Sequence, residues 1–135
     1  MPLRIAIGPR DLENNTIELA RRDTLEKSIV DLNDLGEVVP KTLKDIQQNL
    51  FAKALKHRSE NSTKVDSWDE FKEVINGKGG FVLAHWDGSS ETEEKIKQET
   101  KATIRCIPLD AEVEEGECVY TGKPSSKRVI FAKAY

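Results

Sequence analysis

Val39, Leu43, Ile46, Leu50 and Ala54 step by four, three, four and four residues. That spacing is one face of an α-helix. Pro40 is suited to open it at the first helical position, and the pattern ends near Ser59. His57 and Arg58 would lie in the last turn, where positive charge suits the helix dipole. The polar stretch ENSTK at 60–64 then reads as a linker. A long helix and a polar break divide the N-terminal segment from the C-terminal one. The chain is therefore expected to form two small units, residues 1–60 and 61–135.

The two sides have different rhythms. Leu3, Ile5 and Ile7 alternate with Arg4 and Ala6, and Gly8-Pro9 stops them, which predicts a strand. Asn14-Asn15 signals a turn, Thr16 to Ala20 alternates again, and Lys27 to Val30 gives a third short strand. Beyond the linker, Ser67-x-x-Glu70 is a capping box before an apolar helix face of Trp68, Phe71, Val74 and Ile75. Gly77, Gly79 and Gly80 end that helix, and FVLAHW at 81–86 predicts a buried strand. Ser90-x-x-Glu93 is a second capping box, opening the helix EEKIKQETK. TIRCIP at 103–108 and the terminal KRVIFAKAY read as strands around an acidic loop, DAEVEEGE. The expected sheet core is Phe81, Val82, Leu83, Ile104, Ile107, Val129, Ile130 and Phe131, with Phe71, Val74 and Ile96 upon it. The fold class is α+β.

Charge narrows the partners. Residues 1–60 carry ten basic and ten acidic side chains, and residues 61–135 carry eleven and fourteen, giving a net charge of −3. No basic face announces a nucleic-acid binder, so any RNA contact must come from a few placed residues. No apolar run approaches the roughly 18 residues of a membrane span. The N-terminus lacks the apolar region of a signal peptide. Two cysteines, Cys106 and Cys118, do not make a disulfide scaffold and suit a reducing cytoplasm.

Two polar turns invite a chemical reading. Asp87 and Thr92 lie in one; Cys118 and Thr121 lie in the other. A thiolate and one carboxylate can bind a metal, but threonine hydroxyls are poor zinc ligands, and a structural zinc needs four good ones. Cys118 is expected as a partly buried free thiol, Asp87 as the cap of its own turn, and Thr92 in a first helical turn beside Ser90. GPRD at 8–11 has two readings. It makes a turn, with Pro at its second position and Asp closing it. It also places Arg10 and Asp11, with Arg4, where RNA bases could be read. Arginine donates two hydrogen bonds to guanine O6 and N7, and aspartate accepts from the N1 and N2 hydrogens of an unpaired guanine. His85 beside Trp86 could do chemistry; a half-buried strand histidine is the simpler expectation.

Seven segments together resemble one family. They are PLRIAIGPRDL at 2–12, RRDT at 21–24, ENST-x-V at 60–65, GGFVLAHW at 79–86, EEKIKQETKATIRCIP at 93–108, GKPS at 122–125 and RVIFAKAY at 128–135. In order and over essentially the whole chain, they are similar to the C-terminal part of prolyl-tRNA synthetases of the type with a C-terminal extension. The resemblance implies that residues 1–60 are the last strands and long helix of an α/β anticodon-binding domain. Residues 61–135 would then be a small α/β C-terminal domain with a mixed sheet. Earlier strands and helices, and the whole catalytic domain, are expected to lie outside this fragment.

The family's task is ATP- and magnesium-dependent attachment of proline to its tRNA, whose anticodon holds two adjacent guanines. The basic residue and the basic-acidic pair that contact those guanines fall on Arg4, Arg10 and Asp11. No catalytic residue is expected here. In the family the extension often carries a zinc on Cys-x4-Cys and Cys-x-x-Cys. Those positions fall on Asp87, Thr92, Cys118 and Thr121, so the resemblance implies a degenerate site without zinc. The terminal Tyr135 corresponds to a residue that extends toward the catalytic domain. Implied partners are tRNA(Pro) and the catalytic domain, in a cytoplasmic, homodimeric parent without membrane attachment. The fragment itself is expected to self-associate through residues 3–20. Two rival readings are a free-standing RNA-binding module and a purely structural interaction domain with no RNA binding of its own.

Overall fold

The computed structural model describes residues 1–134, so the terminal Tyr135, expected to reach toward a catalytic domain, lies outside the described residues. The chain divides into two compact units, Met1–His57 and Arg58–Tyr135. Both mix helices and strands, and the fold class is α+β.

In the front unit, β1 (Leu3–Ala6), β2 (Thr16–Arg21) and β3 (Lys27–Asp31) form an antiparallel sheet with β2 in the middle. The GPRD segment is more than a turn. Pro9–Glu13 is a short helix, α1, with Pro9 at its first position, where a missing N–H costs nothing. A 3₁₀ turn at Leu32–Asp34 leads into α2, Leu35–Glu60. The Asp31 carboxylate caps that turn by accepting the Asn33 N–H at 2.8 Å.

The helical period at 39–54 is present, but α2 starts five residues before Pro40. Pro40 has no N–H to donate to the Gly36 carbonyl four residues back, so that bond is missing near the start of the helix. Of the predicted stripe only Ile46 is buried, while Leu43, Leu50 and Phe51 are exposed. The buried apolar side chains of this unit are Ile17, Leu19 and Ile46, while Ile5 and Ile7 are half exposed.

In the second unit, residues 60–64 are not a linker. Ser62–Lys64 form β4, an edge strand parallel to β5, Phe81–His85. Polar side chains suit an edge, and propensity alone misses three residues that pair only with a distant strand. Gly80 lets the two backbones meet: it has φ of +87°, and a Cβ there would sit 2.5 Å from the Asn61 carbonyl oxygen. The four-stranded mixed sheet runs β4-β5-β9-β6, with β9 (Arg128–Lys133) antiparallel to both β5 and β6 (Ala102–Cys106). A further pair joins β7 (Gly116–Glu117), at the end of the stretch that reads as acidic loop, to β8 (Pro124–Ser125) beyond it.

Helices α3 (Trp68–Asn76) and α4 (Ser90–Thr100) accompany this sheet. Val82 and Ala84 stand opposite Phe131 and Val129, and these four are buried with Phe71, Ile75 and Ile96. Burying each large apolar side chain contributes about 1.5–3 kcal/mol. Phe71 meets Phe131 edge to face at 5.1 Å. Phe81 and Ile107, expected in the core, are 41% and 56% exposed, because strand alternation turns Phe81 away from Val82 and Ile107 lies past the end of β6. Ser67 caps α3 as expected, accepting the Glu70 N–H at 3.3 Å, while the Glu70 carboxylate reaches back to the Asp66 N–H.

Candidate functional site

The first candidate surface is the front sheet. Opposite residues of antiparallel strands share a face. Arg4 stands opposite Ala20, Ala6 opposite Glu18, Glu18 opposite Ile29 and Ala20 opposite Lys27. Glu18 is therefore the diagonal neighbour of both cations. Its Oε1 lies 3.5 Å from Arg4 Nη2 and 3.0 Å from Lys27 Nζ. The α1 helix follows directly after β1 and Gly8, carrying Arg10 and Asp11. Asp11 Oδ2 accepts the Gly8 N–H at 2.7 Å, so one carboxylate oxygen is committed to the backbone.

The RRDT turn after β2 is held by a carboxylate. Asp23 accepts from Arg21 Nε and Nη2 at 3.1 and 2.9 Å, and from Asn49 of α2 at 2.6 Å. Lys53 adds a bond to the Asp23 carbonyl at 3.1 Å. The Arg21 guanidinium, and then the Asn49 amide, hold the Asp23 carboxyl well below the usual carboxylate range. This pins the β2–β3 turn to α2.

The second candidate is the pair of polar turns. Asp87 gathers the donors. Its Oδ1 accepts from the Ser89 N–H at 3.1 Å and the Ser89 hydroxyl at 3.0 Å. Its Oδ2 accepts from the hydroxyls of Thr92 at 2.9 Å and Thr121 at 3.1 Å. The residue that caps α4 is Ser89, which accepts the Thr92 N–H at 3.2 Å, and not Ser90. The choice falls to Ser89 because Asp87 and Thr92 both bond its hydroxyl. Burial pushes the Asp87 carboxyl up, but the Ser89 N–H and the three hydroxyls outweigh it, and its pKa lies below the ordinary value.

Cys118 belongs to the facing turn. Its carbonyl accepts the Gly122 N–H at 2.8 Å and its N–H donates to the Lys123 carbonyl at 2.7 Å. It is fully buried rather than partly, and Cys106 is exposed. The structure thus brings Asp87, Thr92 and Thr121 together, with both Asp87 oxygens already serving donors. That donor set does not fit zinc: two hydroxyls pointing at a carboxylate leave one thiol. Among the described residues, no three His, Cys, Asp or Glu side chains gather to hold a metal ion.

At one end of the second sheet lie His85 and Arg128, paired across β5 and β9. Arg128 donates to Glu114 at 3.0 and 2.9 Å, to the Val65 carbonyl at 2.7 Å and to Asp66. Its guanidinium is held charged, its pKa raised first by the Glu114 bond and further by Asp66. His85 is 2% exposed rather than half-buried. Its Nδ1 lies 3.2 Å from Ser125 Oγ, and that hydroxyl donates to the Lys127 carbonyl at 3.1 Å. Ser125 must then accept from His85 Nδ1–H, which leaves a lone pair on Nε2 with no hydrogen-bond partner. Burial, and then the Arg128 charge, push the imidazole pKa down. His85 is thus a neutral core residue. Sequence alone gives no signal for the Ser125 contact or for the bonds from Arg128 to Val65 and Asp66, since each joins residues 40 or more positions apart.

With these surfaces in place, the chain can be set against known proteins. Residues 68–135 match the family described as prolyl-tRNA synthetase, C-terminal. The chain belongs to the prolyl-tRNA synthetase family. Residues 1–42 match an anticodon binding domain, the segment that bears Arg4, Arg10 and Asp11. Over 135 residues the chain is 62% identical to a proline–tRNA ligase of Porphyromonas gingivalis, covering all of this chain and 27% of that protein. It is 60% identical to that of Flavobacterium johnsoniae, again covering 27% of it. Among solved structures, the prolyl-tRNA synthetase of Cryptosporidium parvum complexed with halofuginone and AMPPNP matches all of this chain with a TM-score of 0.90 at 31% identity, over 29% of its own length. The chain thus spans under a third of the length of these relatives.

Proposed function

We propose that this chain is the non-catalytic C-terminal part of a proline–tRNA ligase, which contacts the anticodon of tRNA(Pro) and braces the catalytic domain. The parent joins proline to tRNA with ATP and magnesium, in the cytoplasm and as a homodimer. Arg4, Arg10 and Asp11 are the anticodon-contacting residues. The observation that carries this reading is an exposed Arg4 on an open sheet face, followed at once by a short helix bearing Arg10 and Asp11, within the segment similar to anticodon binding domains. Arg4 is 58% exposed at its side chain, so its guanidinium can reach a splayed guanine.

No side chain here makes or breaks a bond, and the role is recognition and support. Zinc takes no part in the second unit. The Asp87 carboxylate ties the turn at 87–92 to Thr121, the task a metal would perform between those turns.

The front unit has no net positive charge, and phosphate contacts normally supply most RNA affinity. The isolated chain should therefore bind tRNA weakly, with discrimination emerging in the full-length ligase. The test titrates tRNA(Pro), and a tRNA(Pro) whose two anticodon guanines are replaced, against both proteins. Preference for the native anticodon in the full-length ligase, lost in R4A and R10A variants, supports the reading. Equal affinity for both tRNAs in the full-length ligase would leave a purely structural interaction domain as the better account.

A further inference from the structure

We infer that Glu18 is a specificity-determining positioning residue, which aims the Arg4 guanidinium at a base while suppressing indiscriminate phosphate binding. This rests on the reading of Arg4 as an anticodon contact. Glu18 is diagonal to both Arg4 and Lys27 in the sheet register and its Oε1 is ion-paired with each, at 3.5 and 3.0 Å. The two cations are more than half exposed at 58% and 57%, whereas the Glu18 side chain between them is 35% exposed. The carboxylate therefore lies lower than the charges it separates.

That placement has two physical consequences. A guanidinium reads guanine through a directional fork, and a free arginine on a flat sheet face would sample many orientations. The ion pair of Nη2 with Glu18 narrows that range and leaves the remaining N–H groups for a base edge. Second, two neighbouring cations without Glu18 would grip phosphate whatever the sequence. With Glu18 the trio carries a single net positive charge, so contacts that lack base readout gain little. Neighbouring Ala6 and Ala20 are small, so nothing on β1 or β2 beside Arg4 overhangs it.

The experiment uses the full-length ligase. Wild type, E18Q, E18D and R4A are assayed for kcat/KM with tRNA(Pro) carrying the native or guanine-substituted anticodon. Their affinities for both tRNAs are measured across a salt series, with thermal melting as the check on folding. E18Q should lose about tenfold in anticodon discrimination, bind both tRNAs more tightly, and show a salt slope steeper by roughly one phosphate contact. E18D, which keeps the charge on a shorter stem, should retain the shallow salt slope. It also serves as the second variant should E18Q fold poorly. A merely structural residue would shift melting without steepening the salt slope. If R4A abolishes discrimination while E18Q changes neither discrimination nor slope, the assignment of Glu18 is overturned and the reading of Arg4 stands. If R4A leaves discrimination intact, the anticodon reading fails and the inference about Glu18 falls with it.

Discussion

Removing the Asp87 carboxylate should unfasten the second unit without involving any metal. Asp87 accepts four hydrogen bonds, two from Ser89 and one each from Thr92 and Thr121. The Ser89 bonds are local, closing the turn that caps α4. The Thr121 bond spans 34 residues and joins two separate turns. A hydrogen bond to a charged group contributes about 1.5–3 kcal/mol. T121V deletes one donor and leaves the carboxylate three others, so it should cost about 1.5 kcal/mol. D87A leaves the buried Thr92 hydroxyl without its acceptor, frees Thr121 and weakens the α4 cap, and should cost about 3 kcal/mol. For a unit of this size each kcal/mol moves the midpoint by roughly 4–8 °C. Melts of the purified chain should therefore drop by about 10 °C for T121V and about 20 °C for D87A. A strong chelator should leave wild type unchanged. The Asp87 pKa is depressed in the fold, so its contribution is complete above the unfolded value near 4 and is lost as pH falls through the folded value. The wild-type advantage over D87A should shrink accordingly in acid. Stoichiometric zinc in the purified protein, a midpoint that falls with chelator, or a D87A variant as stable as wild type would each refute this account.

Further outcomes concern the other networks. R128M should destabilise the second unit by about 1–3 kcal/mol in denaturant melts, because it leaves the Val65 carbonyl without its side-chain donor and removes the fork that joins it to Glu114; R128K should not restore it, lacking the fork. The His85 pKa is lowered by burial, so the unfolded chain takes up that proton first. Stability should fall as pH drops below about 6.5, and an H85Q variant should flatten this slope in midpoints measured from pH 7.5 to 5. G116A drives a Cβ into steric overlap with the His85 imidazole and should cost about 1–3 kcal/mol, with part regained in an H85A G116A double variant. The front unit, with Ile5, Ile7, Leu43, Leu50 and Phe51 exposed, should exchange its amides faster than the second unit and self-associate in sedimentation; a monomer with strongly protected β1 amides would contradict this.

Local chemistry was legible in the sequence wherever one segment decided it. Ser67 capping α3, the two-residue rhythm of β1 and β2 and the 3.6-residue rhythm of α2 all arise from neighbours within a turn or two. The two polar turns were legible as turns for the same reason. Tertiary structure decided everything that depended on a distant partner. Only Ile46 of the α2 stripe is buried, because a helix's own period says which residues share a face but not how much of that face is covered. Ser62–Lys64 became a strand because β5 offers its edge and Gly80 removes the side chain that would block the approach. Ser89, not Ser90, caps α4 because Asp87 also bonds the Ser89 hydroxyl. Glu18 stands between Arg4 and Lys27 only through the register of three strands, and Arg128 reaches Asp66 from 62 residues away. Hydrogen-bond geometry selects among side chains that composition leaves equivalent, and it does so only once the chain has brought them within about 3 Å.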